Sequence, residues 1–365
     1  MINWGYQKGM LQVSASLHRY YGLDSEYQSD AAVDEWLQSH HFRCVIALLI
    51  DGMGTRIMED KLSPDSFFRR SLAEEVSTVY PPTTTAATTA FQTGRSPKEN
   101  GWLGWNQYFH ELDDQMILFR SHSQYGPKEY PDYAWTHLPI LALQDELNEH
   151  GNHADSVWPG WGQVNPCDTY EKILIKLKSL IKDPDLHYIY AYWDELDDLM
   201  HRMGPSSETV TEMMQQLDDQ TDLFARSLPA DVGLLIIADH GQIDVRHYHL
   251  DHDRELCGCF RKAPSLEART MAFFIKPECM EVFPVLFHQK FRESFVLLSH
   301  DEVVHSNIFG PGKAHPRFEE FIGDYTAFAI SDLQLDYRKG YDLRGNHAGM
   351  LDAERMIPVI LYPGH

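Results

Sequence analysis

The sequence predicts an α/β fold: a three-layer α/β/α sandwich with a largely parallel central sheet and an inserted cap subdomain. Three observations carry this expectation. Two unbroken apolar runs, Cys44–Ile50 (CVIALLI) and 232–238 (VGLLIIA), suit strands buried on both faces, and each is followed at once by an aspartate. Between them strand-like and helix-like segments alternate, as they do where helices cover a parallel sheet. From about 246 the pattern changes to aromatic segments interrupted by proline.

In chain order, residues 1–42 are expected to form an N-terminal extension and 43–245 the first part of the core. Pro81 and Pro82 end a strand, and the Thr and Ala run before Gly94 reads as a helix of small residues. Helical periodicity runs over 136–150, closed by Gly151, and again over 168–182. Leu186–Trp193 (LHYIYAYW) reads as another strand. The clearest helix is 207–228: Val210, Met213, Met214, Leu217, Thr221, Phe224 and Leu228 share one stripe, and Ser206 or Ser207 offers an N-cap. Residues 246–335, including the segments 269–277 and 283–295, are expected to form the cap, and 336–365 to return to the core. Active sites of open α/β sheets assemble at the carboxyl ends of the strands.

Composition narrows the function. With 54 Asp+Glu against 31 Lys+Arg, the formal net charge of -23 repels phosphate backbones and anionic headgroups, so neither a nucleic-acid polymer nor a membrane surface is expected as a partner. A hydrophobic share of 43% rules out a disordered chain. No run nears the roughly 20 apolar residues of a membrane span, and the first seventeen residues lack the basic start and apolar stretch of a signal peptide, so a cytoplasmic location is expected. The cysteines number five, and only Cys257 and Cys259 lie close, without a two-residue gap. Reduced thiols are the expectation, with any metal held by carboxylate and imidazole.

Five motifs could carry chemistry. Asp51 follows the first buried strand in LLIDGMG; alone, an aspartate there is more often a turn former or helix cap. Asp239 and His240 follow the second in IIADHGQ, two metal-ligand types side by side, or else a capped turn with a surface histidine. In YAYWDELDDLMHRMGP, Asp197 and His201 are four apart and share a helical face, which Asp194 joins from the other side. That pair can chelate a divalent ion, and the bland reading is a solvated acidic turn. His347 stands in RGNHAGM, where a lone histidine is usually structural. In YPPTTTAATTAFQTG a threonine at the first helical turn sits where free amides and the helix dipole favour an anion, unless it is simply an N-cap. No Lys or Arg occurs from Ser71 to Gly94.

Together, in this order, the motifs resemble the alkaline phosphatase superfamily, and most closely its type I phosphodiesterase/nucleotide pyrophosphatase branch. In that family the nucleophile lies nine residues before a Thr-Gly pair, and counting back from Thr93 and Gly94 lands on Thr84, with Thr83 and Thr85 as neighbours in register. The resemblance implies a phosphoester hydrolase acting through a phosphothreonine on two divalent ions, zinc by family and manganese by ligand chemistry. One ion would be held by Asp51, Asp239 and His240 and would engage Thr84. The second would be held by Asp197, His201 and His347. Two departures stand out: Met200 replaces the glycine before the second-motif histidine, which is expected to narrow the site, and Trp105 aligns with the family's phosphoryl-binding asparagine. Asn100 or Asn106 is the expected replacement.

The substrate is expected to be a small phosphate ester. Lack of a basic residue in the nucleophile segment favours a phosphodiester or nucleotide pyrophosphate over a monoester. An arginine from elsewhere, such as Arg95 or one in the cap, would weaken that inference. A sulfatase is disfavoured, because no cysteine lies between Cys44 and Cys167 to mature into its aldehyde. The alternatives are a phosphomonoesterase or phosphomutase of the same superfamily and a catalytically silent metal-binding module. His247, His249 and His252, with Asp251 and Asp253, also look like a zinc site, but a solvated entrance loop to the cap is the preferred reading.

Overall fold

The run Cys44–Ile50 is a strand with every residue buried. Its neighbours are Leu186–Trp193 on one side and Val232–Ile237 on the other, both parallel to it. This is a computed structural model, and it describes residues 4–337 and 342–365; residues 1–3 of the expected extension and 338–341 of the expected core return lie outside them. The sheet is completed by His153–Pro159 and Pro166–Cys167 beyond Leu186–Trp193, and by Met356–Pro363 and Leu72–Ser77 beyond Val232–Ile237. Met356–Pro363 pairs antiparallel with both of its neighbours and the other pairings are parallel, so the sheet is largely parallel. Its central strands Cys44–Ile50 and Val232–Ile237 read as continuous apolar runs because helices cover both faces.

The helices sort into two packed sets. One comprises Met10–Tyr20, Ala31–His40, Thr84–Thr93 and Leu143–Glu149, and the other Thr55–Lys61, Tyr170–Leu180, Glu195–Met203 and Glu208–Ala225. The first set shows that the N-terminal segment is part of the core: Met10, Leu11, Val13 and Leu17 are buried in the same cluster as the central strands. Ser14 Oγ donates to Phe91 O at 2.7 Å, fastening the first helix to the Thr84–Thr93 helix. In the long helix, Ser207 is the N-cap, its hydroxyl accepting from Thr209 N, and Val210, Met214, Leu217, Thr221 and Phe224 are buried as the periodicity requires. The expected 136–150 helix is instead two, Tyr133–His137 and Leu143–Glu149. Pro139 lies in the gap, where its missing N–H and its restriction of Leu138 break the helical ladder.

A second sheet, antiparallel throughout, has the order Phe295–Ser299, Tyr325–Ala329, Thr270–Ile275, Phe260–Leu266, Asn106–Phe109, Asp114–Ile117, His122–Ser123. Residues 106–123 fall in the stretch 43–245 read as core, yet they supply three strands of this sheet. The join is the pairing of Leu266 with Asn106, a contact spanning 160 positions that no local pattern announces. Phe273, Phe283, Phe287, Phe291 and Phe295 form the aromatic core beneath one half of it.

Candidate active site

Strand register brings the site together. Ile50 pairs with Trp193 and Leu49 with Ile237, so the three central strands end level and their following residues, Asp51, Asp194 and Asp239, emerge at one edge. Two turns then press against each other. Gly52 has φ 73°, and a Cβ there would stand 2.7 Å from Met200 Cε. A Cβ on Gly54 would stand 2.5 Å from Gly241 Cα. The close approach sets Gly52 N 3.0 Å from Asp239 Oδ1 and leaves Asp239 and His240 fully buried. Met200 fills the core beneath Gly52 and is absent from the cavity lining, so it supports the turn rather than narrowing the site.

The start of the Thr84–Thr93 helix places the three threonines differently. Thr84 Oγ1 lies 3.3 Å from Asp51 Oδ2 and 3.2 Å from His240 Nε2. Thr83 occupies the N-cap position, but its hydroxyl donates to Glu267 Oε1 at 2.7 Å instead of capping the helix. Thr85 is fully buried, and its Oγ1 has no partner. One residue turns a helical side chain by about 100°, which is why only one of the three faces the acidic edge.

Three imidazoles face the same point for a common reason. His201 Nδ1 donates to Gly345 O at 2.9 Å, His240 Nδ1 to Gly241 O at 3.1 Å and His347 Nδ1 to Pro82 O at 3.1 Å. Each backbone carbonyl fixes one ring nitrogen and turns Nε2 towards the carboxylates, the arrangement metal-ligating histidines adopt. His240 Nε2 is 3.4 Å from both Asp51 Oδ1 and Asp239 Oδ2, and His201 Nε2 is 3.1 Å from Asp197 Oδ2. The rings of His240 and His347 stack at 3.8 Å.

The electrostatics are those of a site that needs cations. Burial pushes the Asp51 carboxyl well above its usual pKa, and Asp239 and Asp197 push it the same way. Burial also raises Asp239. Burial acts upward on Asp197 too, but the adjacent His201 overcomes it and holds the carboxyl low. Burial acts downward on His201, and Asp197 lifts it to about 9. His347 is driven well below its usual value by burial and then by His240, which favours the neutral imidazole. Asp51 Oδ1 and Asp239 Oδ2 are buried without a hydrogen-bond partner. Orphaned carboxylate oxygens opposite imidazole lone pairs fit divalent ions well. Ligand atoms of Asp197, His201 and His347 lie within 4.8 Å of one another, and so do those of Asp51, Asp197 and His240. Asp197 thus stands in both groups, where the sequence reading gives it to the second ion alone.

The edge opens into a cavity of about 1460 Å³, lined by Thr84, Asp51, Asp197, His201 and His347 and walled by Trp105, Trp135, Trp158, Trp161 and Tyr192. Tyr192 OH donates to Asp51 Oδ2. Asp194 lines the cavity but accepts from Trp161 Nε1 at 2.7 Å. Asn106 also lines it, with Nδ2 donating to Leu266 O at 2.9 Å and Oδ1 left without a partner. Asn100 does not: its amide is consumed by Arg95 O and Trp102 N, so it closes a turn. His247 and His249 project from one face of the strand Arg246–His249 towards Asp336, at 2.7 and 3.8 Å, and His252 pairs with Asp251. Among the described residues they form no group of three ligand atoms within reach of one ion. Sequence reasoning missed Glu267 and Gln242. Gln242 Nε2 donates to Asp197 Oδ1 at 2.6 Å, and its place three residues after Asp239 was the available signal. For Glu267 the sequence carried none.

A parallel sheet whose strand ends gather carboxylates, imidazoles and a helix-start hydroxyl defines a hydrolase of phosphoric ester bonds. The chain belongs to the type I phosphodiesterase / nucleotide pyrophosphatase family of the alkaline phosphatase superfamily, whose model matches residues 45–281. Three solved structures are similar, each covering 88% of this chain and 88% of the other. They are murine ectonucleotide pyrophosphatase / phosphodiesterase 5 (16% identity, TM-score 0.64), its human counterpart (17%, 0.66), and an inactive threonine-to-alanine form of the murine protein in complex with AMP (17%, 0.65). At these identities the likeness is one of fold. No curated protein matches the sequence.

Proposed function

We propose that the protein cleaves a phosphodiester or nucleotide-pyrophosphate bond with Thr84 as nucleophile and two divalent ions, zinc or manganese, as cofactors. The observation that carries this reading is the Thr84 hydroxyl at a helix start, 3.3 Å from Asp51 and 3.2 Å from His240. Asp51, Asp239, His240 and Thr84 would hold one ion, and Asp197, His201 and His347 the other, supplying positive charge to the phosphoryl oxygens and the departing oxygen. Thr84 Oγ gives up its proton towards Asp51 Oδ2, the acceptor it already approaches, and attacks phosphorus, so the Oγ–P bond forms as the bond to the leaving oxygen breaks and that oxygen takes a proton from solvent. The first amides of the Thr84–Thr93 helix precede its hydrogen-bonding ladder and would be free to donate to phosphoryl oxygens. Water then hydrolyses the phosphothreonine, and two in-line inversions give net retention at phosphorus.

A monoester substrate has some support, because Arg120 and Arg202 line the cavity. Arg202, however, is paired with Asp198 at 2.9 Å, and Arg120 lies over the Trp105 ring at 5.3 Å. The AMP bound in the inactive murine relative favours a nucleotide product. A cytoplasmic location belongs to the proposal and is supported by five free thiols; no described helix is long and apolar enough to cross a membrane. The test is hydrolysis of methyl p-nitrophenyl phosphate by the full chain with zinc or manganese. Turnover abolished by a chelator and restored by metal is the expected result. Bound metal with no turnover across diesters, monoesters and nucleotide pyrophosphates would overturn the reading in favour of a silent metal-binding module.

A further inference from the structure

Glu267 follows the strand Phe260–Leu266, directly after Leu266, whose φ of 75° swings the chain back towards the cavity. Its carboxyl lines the cavity with Thr84 and His201. Oε1 accepts from Thr83 Oγ1 at 2.7 Å and from Trp105 N at 2.7 Å. Among the described residues no donor reaches Oε2. Trp105 stands where the family resemblance expects a phosphoryl-binding asparagine, and its backbone N–H is already spent on this carboxyl. The second sheet therefore delivers an acceptor to the side of the nucleophile where a donor was expected. The nucleophile segment 71–94 has no Lys or Arg; among the described residues the arginines lining the cavity are Arg202, paired with Asp198, and Arg120, which lies over the Trp105 ring.

We infer that Glu267 is a specificity-determining residue, whose carboxylate beside Thr84 disfavours phosphates carrying two negative charges and admits phosphodiesters carrying one. The inference rests on the hydrolase reading above and deepens it by naming the charge class of the substrate. Like charges repel, and a carboxylate beside Thr84 opposes the second charge of a monoester more than the single charge of a diester, whatever charge the ions supply to both. Glu267 also clamps Thr83 to Trp105, a structural role that would affect all substrates equally, so the test must separate charge from shape.

Glu267→Gln keeps the outline and the Oε1 acceptor for both donors while removing the charge. Glu267→Asp keeps the charge. For the metal-loaded full chain at pH 8.5, where the carboxyl is ionised, kcat/KM is measured for p-nitrophenyl phosphate, a dianion, and methyl p-nitrophenyl phosphate, a monoanion. Inorganic phosphate binding is measured by calorimetry on the same samples. The expected result for Glu267→Gln is a gain of about tenfold in the monoester-to-diester ratio and about tenfold tighter phosphate, equivalent to about 1.4 kcal/mol. Glu267→Asp should keep the wild-type preference. A ratio and a phosphate affinity unmoved within about twofold would overturn the inference, as would equal losses on both esters. If the wild type hydrolyses neither ester, the hydrolase reading fails, and phosphate affinity with and without the Glu267 charge still decides the electrostatic role.

Discussion

Replacing Thr84 by alanine should separate chemistry from folding. The hydroxyl makes two contacts, at 3.3 Å to Asp51 and 3.2 Å to His240, both at the long end of hydrogen-bond range. Their loss should cost less than about 1 kcal/mol of stability. Asp51 keeps its bond from Tyr192 and His240 its anchor at Gly241, so the ligands stay in place. Activity should fall by about 10⁴, the usual effect of removing a nucleophile from a cooperating site. That corresponds to about 5.4 kcal/mol of barrier. The neighbours are controls with different structural costs. Thr83→Ala loses a bond to a carboxylate and should lower stability by about 1.5–3 kcal/mol with little effect on chemistry. Thr85→Val exchanges a buried hydroxyl that has no partner for a methyl and should be neutral or stabilising. Initial rates on methyl p-nitrophenyl phosphate, thermal melts and elemental analysis read the three effects separately. Near-normal turnover by Thr84→Ala with loss in a neighbour would show the register wrong. Activity in all three would refute the phosphothreonine and leave direct attack by water.

Four further expectations follow from the geometry. His240→Ala should lower the metal content of protein purified without chelator from two ions per chain to one, and retention of both in elemental analysis would refute the division of ligands. Alanine at both His247 and His249 should leave that content unchanged, because Asp336 already engages the pair; loss of an ion would reverse the ranking of the two clusters. Arg269 and Glu354 form a fully buried ion pair at 2.7 Å joining the second sheet to the segment after His347, and Arg269→Met should destabilise the protein by about 3–5 kcal/mol, read by urea unfolding, since it strands a buried carboxylate. Burial lifts Glu267 from 4.5 to about 7, so the folded chain keeps a proton that the unfolded chain has released. Stability from this group is full below about pH 4.5 and is lost as pH rises through about 7. In chelator, the melting temperature of Glu267→Gln minus that of wild type should therefore climb between pH 5 and 8, and a flat difference would count against the shift.

The strands and their terminal aspartates were legible because their causes are local. A seven-residue run such as CVIALLI, rich in β-branched and apolar residues, suits a strand buried on both faces, and the aspartate that ends it stands at the sheet edge. Asp197 and His201 met as their spacing required, because four residues make about one helical turn. The helix expected over 136–150 failed on a local cause as well, since Pro139 outweighed the periodicity.

What the sequence determined by itself was the set of strand ends and the side chains mounted on them. Tertiary structure decided which of those chains converge and what faces them: Asp197 between both ligand groups, Thr84 rather than its neighbours at the acidic edge, residues 106–123 in the second sheet, and Glu267 beside the nucleophile. The physical reason is range. Periodicity and turn chemistry act over a few residues, whereas the contact of Glu267 with Thr83 closes a separation of 184 positions and exists only once both sheets have packed.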